Sequence, residues 1–226
     1  MTQTVRISDK KKMDLTIYQD MLILDNPLTW RDGRNTNVFE TACHGKVSTT
    51  VKALIEDSDE TCQLAGRVLF AVLRQHGSVG GSLLGEIGST NITKYRTATR
   101  RTGDHPWPCG NRLRAASHYH HRAVHDFVQL ENSCLPESEA DIAKVWAIVT
   151  VEGVEGRSGW QGIIGSPFSK IGNGGPNGMI PRYILETGKY ATIPLDQINN
   201  VVHLVPDWSN RTGKVYFLNP WVDIWK

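Results

Sequence analysis

Ile142-Ala143-Lys144-Val145-Trp146-Ala147-Ile148-Val149-Thr150-Val151 decides the fold class. The run is dominated by β-branched and aromatic residues, the composition of a pleated, buried strand. Four similar runs surround it. His125-Asp126-Phe127-Val128-Gln129-Leu130-Glu131 precedes it; Tyr190-Ala191-Thr192-Ile193-Pro194-Leu195, Val201-Val202-His203-Leu204-Val205-Pro206 and Val215-Tyr216-Phe217-Leu218-Asn219-Pro220-Trp221 follow. Gly, Pro, Asn and Asp clusters separate the five. The pattern predicts an all-β barrel or sandwich over the C-terminal half.

Residues 153–181 lie between two of these runs. Gly-Arg-Ser-Gly-Trp-Gln-Gly and Gly-Asn-Gly-Gly-Pro-Asn-Gly crowd them with glycine. They read as a long inserted loop, a kind that is usually functional or disordered.

The N-terminal half carries a different period. In residues 59–76, Leu64, Val68, Leu69, Val72 and Leu73 recur at helical spacing. Asp57 and Glu60 stand three apart, like a capping box with Asp57 as cap, and Gly77 sits where a C-terminal glycine belongs. Residues 38–58 show a weaker helical pattern through Val47, Val51, Leu54 and Ile55. Residues 77–88 hold five glycines without GxGxxG in register or a GK[ST] ending. They read as a hinge rather than a phosphate loop. The polar segment 1–12, ending in Lys10-Lys11-Lys12, reads as a solvated tail and not as a secretory signal.

Global composition says little about partners. The chain has 226 residues, a net charge of +2 and a pI near 8.3, so charge favours no ligand class. No apolar run approaches the roughly 18 residues of a membrane span, and no membrane association is expected. Cys43, Cys62, Cys109 and Cys134 are widely spaced without CxxC, which fits reduced thiols and an intracellular chain.

Residues 94–122 are the one charge asymmetry. They hold Lys94, Arg96, Arg100, Arg101, Arg112, Arg114 and Arg122 against Asp104 alone, so the rest of the chain is net negative. Tyr95, Trp107 and Tyr119 interleave with the cations. Such a block suits phosphate contacts with base stacking. It also suits a solvated, irregular connector, since no RNP, helix-turn-helix or zinc-finger spacing accompanies it. Nucleic-acid binding, if present, is expected through Arg100, Arg101, Arg112, Arg114 and Arg122, with Tyr95 and Trp107 stacking.

Two other constellations carry chemistry. His118-Tyr119-His120-His121-Arg122-Ala123-Val124-His125-Asp126 places His121 and His125 four apart, as zinc ligands on a helix often are. The residue after His121 is Arg122 rather than the glutamate of a metalloprotease, and no second CxxC completes a finger. The expectation is that no metal is bound, with a metal-dependent nuclease as the rival. Trp146, Trp160, Trp208, Trp221 and Trp225 are core or, alternatively, walls of an aromatic cage. Glu137, Glu139 and Asp141 read as a solvated strand entry. No catalytic residue and no cofactor is assigned.

The ordered motifs resemble a known family. His125-Asp126-Phe127-Val128-Gln129-Leu130 followed by Ile142-Ala143-Lys144-Val145 resembles the opening of a bromo-adjacent-homology-like barrel, with His125 where that pattern has glycine. Together with Val202-His203-Leu204-Val205-Pro206 and Phe217-Leu218-Asn219-Pro220-Trp221-Val222-Asp223, the series resembles the C-terminal region of proteins encoded by fungal CACTA-like transposons (the Plavaka and Kyakuja-Dileera-Zisupton class). Asn37-Val38-Phe39-Glu40, His44-Gly45-Lys46-Val47 and residues 63–74 are similar to the helical segment before that barrel. The resemblance implies a detached, non-catalytic, nuclear piece, because the family's catalytic carboxylates lie on an upstream core. It transfers no active-site residue.

The expected fold is therefore α+β: a small helical N-terminal segment over residues 1–88, a basic connector over 89–124, and a β-barrel of five or more mainly antiparallel strands over 125–226. The expected function is an accessory module binding DNA, chromatin or a protein partner. A decayed fragment without present function is a further alternative.

Overall fold

The computed structural model describes residues 22–23, 39–41, 45–76, 87–100, 112–119, 122–131, 135, 140–152, 160–174, 178–210 and 212–219. The N-terminal part contains β1 (Leu22–Ile23), β2 (Phe39–Thr41), β3 (Val47–Thr50), α1 (Val51–Ile55) and α2 (Glu60–His76). Then come β4 (Asn91–Tyr95), β5 (Thr97–Arg100), β6 (Arg112–Tyr119), β7 (Arg122–His125) and β8 (Phe127–Leu130). The long strands β9 (Ile142–Val151) and β10 (Trp160–Gly174) follow. The chain ends with β11 (Ile180–Leu185), β12 (Lys189–Pro194), β13 (Ile198–Val202), β14 (Leu204–Pro206) and β15 (Val215–Leu218). Among the described residues, no helix is long and apolar enough to cross a membrane.

β9 and β10 are the spine of an eleven-stranded, mostly antiparallel sheet. They pair from Trp160↔Val151 to Phe168↔Ile142. Each is long enough to hold two shorter strands on its other edge: β9 takes β8 and β4, and β10 takes β12 and β11. The register slips between Ile164 and Gly165, where Ala147 and Val145 are the partners and Trp146 is the extra residue of a bulge.

β10 overturns the loop reading of residues 153–181 over Trp160–Gly174; 153–159 and 175–177 lie outside the described residues. Glycine normally weakens a strand, but here it is needed where another chain segment comes close. A Cβ on Gly162 would strike the Trp160 ring, and one on Gly165 would stand 2.9 Å from the Lys144 carbonyl oxygen. Gly162, one of the glycines that suggested a loop, and Gly165 leave room for these neighbours where β10 pairs with β12 and β9.

The sheet runs β13-β8-β9-β10-β11-β15-β14. Its first and last strands are consecutive in sequence, separated only by His203. The sheet is thus curled into a barrel-like form whose two ends belong to one bent run of chain. The inside of the curl holds Ile142, Phe168, Tyr183 and Leu204, with Phe127, Leu185, Val202, Tyr216 and Leu218 packed against them. All seven strands contribute. This agrees with the expectation of a barrel-like, mainly antiparallel C-terminal half.

Beyond the bulge, the same face of the spine is covered by helices. Ala147, Val149, Val151, Trp160 and Ile164 pack with Val51, Leu54, Leu69 and Val72 of α1 and α2. The opposite face presents Ala143, Val145, Ile148 and Ile163 to Ala98, Leu113 and Ala115 of a second sheet, ordered β2-β5-β6-β7.

Three local expectations need correction. Residues 47–50 are strand β3, paired with β4, so among the described residues of the 38–58 pattern only Val51–Ile55 is helical. β-Branched Val and Thr in succession favour the pleat over the helix. The cap of α2 is Asp59, whose Oδ1 accepts from the Thr61 N–H at 2.8 Å; Asp57 instead accepts from the Asp59 N–H. The basic block is regular structure where it is described, forming β4, β5, β6 and β7. Residues 77–86 lie outside the described residues.

Candidate nucleic-acid interface

Alternation sorts the basic strands into two faces. On β6, Leu113 and Ala115 are buried while Arg112 and Arg114 are exposed. The register sets Arg112 beside Thr99 and Arg114 beside Thr97. Arg96 follows directly in space, since its carbonyl accepts from the Ala115 N–H at 3.0 Å. The Arg96 side chain runs against Gly45, next to the exposed Lys46. Lys46 and Arg96 are thus neighbours, while the pairing that sets Arg96 opposite Ala115 puts it across β6 from the side that carries Arg112 and Arg114.

Arg114 is not a free cation. Its Nη2 meets Asp126 Oδ1 at 2.9 Å, its Nε donates to Asp126 Oδ2 at 3.0 Å, and its backbone N–H donates to Oδ2 at 2.7 Å. Asp126 is buried, so this bidentate pair is a fastener between β6 and the β7–β8 junction. Tyr95 does not join these cations. It packs half-buried on the apolar cluster, and its hydroxyl accepts from Thr150 Oγ1 at 3.5 Å. Arg100 and Arg122 occupy positions in β5 and β7. Arg101 and Trp107 lie outside the described residues.

Beside Arg96 is a cavity of about 130 Å³ lined by residues that include Asp59, Cys62, Lys94, Arg96 and Trp146. It opens where the first turn of α2 meets β4 and the β9 bulge. Lys94 Nζ donates to Cys62 Sγ at 2.7 Å. Burial pushes the Cys62 thiol up despite the ammonium beside it, so it stays protonated near neutral pH.

Trp146 is fixed from several sides. Its Nε1–H donates to Ser166 Oγ at 2.7 Å, Lys144 Nζ stands 4.0 Å from the ring centroid, and the His125 ring is tilted against it at 5.2 Å. Burial lowers the Lys144 ammonium. It also lowers His125, with Lys144 adding to the effect. The His125 Nδ1–H donates to the Val145 carbonyl at 3.1 Å, which uses one ring nitrogen in packing.

Among the described residues, no three His, Cys, Asp or Glu side chains are grouped to hold a metal. The side chain of His118, and the whole of His105, His120 and His121, lie outside them, as do Cys43, Cys109 and Cys134. The five tryptophans divide: Trp160 is core, Trp146 is half-buried, and Trp208 is 86% exposed on the turn between β14 and β15. Trp221 and Trp225 are outside the described residues.

Sequence reasoning missed the cavity. Lys94 and Arg96 stand two apart, so in an extended segment they share a side, and that signal was present. Cys62 is 32 positions from Lys94, and no local pattern announces the pair. Compared with protein-family models, with curated proteins and with solved structures, the chain matches none.

Proposed function

We propose that the chain is a non-catalytic accessory module of a transposon-derived protein, built on a bromo-adjacent-homology-like barrel, that binds nucleic acid through the exposed cations Lys46, Arg96 and Arg112. The observation that carries the reading is the exposure of these cations, with Arg96 against Gly45 beside Lys46 and Arg112 on the strand that bonds to Arg96. The buried carboxylate of Asp126 is paired with Arg114. Exposed cations fit phosphates as point contacts and carry no base-reading geometry of their own.

The test is a salt titration of oligonucleotide binding. Each phosphate contact contributes about 0.9 to the slope of log affinity against log salt on duplex DNA. Arg96→Ala combined with Arg112→Ala should weaken binding and flatten the slope by about two contacts' worth. Arg114 is excluded from this pair because its loss strands Asp126. Absence of binding at low salt, or an unchanged slope in the double variant, overturns the reading.

A further inference from the structure

We propose that the cavity beside Arg96 receives the single-ring base of an unpaired nucleotide, cytosine in preference to thymine, packed against Trp146. The proposal rests on the nucleic-acid reading above and specifies what that surface would select.

Size limits the guest. A cavity of about 150 Å³ holds one benzene ring. At about 130 Å³, this one suits a pyrimidine and is tight for a purine. The wall is an indole, and base–aromatic stacking is the usual means of holding an unpaired base. Trp146 is already oriented by Ser166, Lys144 and His125, so little ordering is left for the ligand to impose.

The polar lining has mixed sign. Lys94 and Arg96 offer donors, while Asp59 offers a carboxylate. A bare phosphate would meet the Asp59 carboxylate, and a metal cation would meet the Lys94 ammonium. A pyrimidine edge presents both kinds of group. Cytosine has an amine at N4, which pairs with carboxylates, and acceptors at N3 and O2 for an ammonium or guanidinium. Thymine lacks that amine. Arg96 lines the cavity, and the exposed Lys46 stands between the lining residues Gly45 and Val47, so a flanking phosphate reaches cations as the base enters.

The experiment measures anisotropy of labelled single strands of about ten nucleotides. Oligodeoxycytidine, oligothymidine, oligodeoxyadenosine and an abasic strand are compared at one low salt concentration. Wild type should bind oligodeoxycytidine tightest and the abasic strand weakest. Trp146→Ala should cost about ten-fold on oligodeoxycytidine, and Trp146→Phe should recover most of it. Asp59→Asn keeps a competent helix cap and should reduce the cytosine preference to the level of thymine. Thermal melting of each variant separates lost stacking from lost fold, and Asp59→Asn keeps the test decisive if Trp146→Ala unfolds. Equal binding of all four strands, unchanged in Trp146→Phe and Asp59→Asn but weakened in Arg96→Ala/Arg112→Ala, overturns the base pocket and leaves the basic surface standing. No binding of any strand at low salt overturns both.

Discussion

The barrel end and the helix end of the β9–β10 spine solve the same burial problem differently. At the barrel end, the sheet covers its own face. Phe168 meets Phe127 and Tyr216 nearly edge-to-face, at 5.7 Å and 5.4 Å. At the helix end, the sheet needs α1 and α2 as a lid. Between the two, the same face carries Lys144, Trp146 and Ser166 instead of aliphatic residues. The cavity lies at that seam, where the lid stops and the curl has not yet begun. A closed apolar end leaves no room for chemistry; an edge where two coverings meet does.

The strongest way to break this comparison is to ask whether the two ends are separable. Phe168→Ala at the barrel end should cost about 3–5 kcal/mol, and Leu69→Ala at the helix end about 2–5 kcal/mol. Both side chains are fully buried. β9 and β10 run through both ends without interruption, so each variant should shift one common transition in urea. Far-UV and near-UV dichroism should coincide in both variants. Two transitions, with only one moved by each substitution, would make the ends independent units.

A second test sharpens the barrel end alone. The Tyr183 hydroxyl donates to Asp141 Oδ2 at 3.2 Å inside the curl. Burial, with the Asp141 charge adding, pushes the phenol up to about 12. The folded state therefore holds this proton more tightly than the unfolded chain. The stabilisation is complete below the ordinary phenol value of about 10 and is lost as pH rises through 12. The loss amounts to about 3 kcal/mol. Tyr183→Phe should remove this alkaline step. If the variant and wild type lose stability in parallel between those values, the hydroxyl is not held as the structure shows.

These two ends were unequally legible. The barrel strands announced themselves through β-branched runs, and each of the five runs contains a strand. α2 was readable from its 3.6-residue period and begins at Glu60, one residue inside the expected start. β10 was hidden because its composition reports a neighbour's proximity: Gly162 and Gly165 are small on account of Trp160 and Lys144, not on account of a turn. The closure of the curl at His203 and the bulge at Trp146 are set by pairing across the sheet, which no single window of sequence contains. The site suffered most. Arg112 was legible as an exposed cation, whereas Arg114 looked identical until Asp126 claimed it. Lys94 and Cys62 meet only because β4 pairs with β9 beneath α2.

The Arg112–Arg114 contrast gives the third test. Arg114→Ala leaves the buried Asp126 carboxylate with the backbone N–H alone. Removing one partner of a fully buried ion pair costs about 3–5 kcal/mol, and the 45% exposure of the Arg114 side chain reduces this to about 2 kcal/mol. Arg112→Ala should stay within about 0.5 kcal/mol, as exposed substitutions do. Thermal denaturation of the two single variants decides it. Equal melting temperatures would reduce the fastener to a surface ion pair.

The smallest expected effect probes the seam itself. His125 sits against Trp146 and Val145, with its pKa lowered chiefly by burial and further by Lys144, while the Val145 carbonyl, and after it Asp59 and Asp126, oppose the shift. The unfolded chain takes up a proton near the ordinary value of about 6.5, and the folded chain takes it up only at lower pH. Stability contributed by the neutral ring is therefore present above about 6.5 and lost as pH falls toward the lowered value. His125→Gln can still donate to the Val145 carbonyl and does not titrate. The gap in urea midpoint between wild type and this variant should consequently change in the variant's favour on acidification from about pH 8 to 5. A gap that stays constant over that range would mean the ring accepts its proton as readily folded as unfolded. The seam would then be open to water at His125, and Trp146 would lose part of the packing that holds it in place beside the cavity.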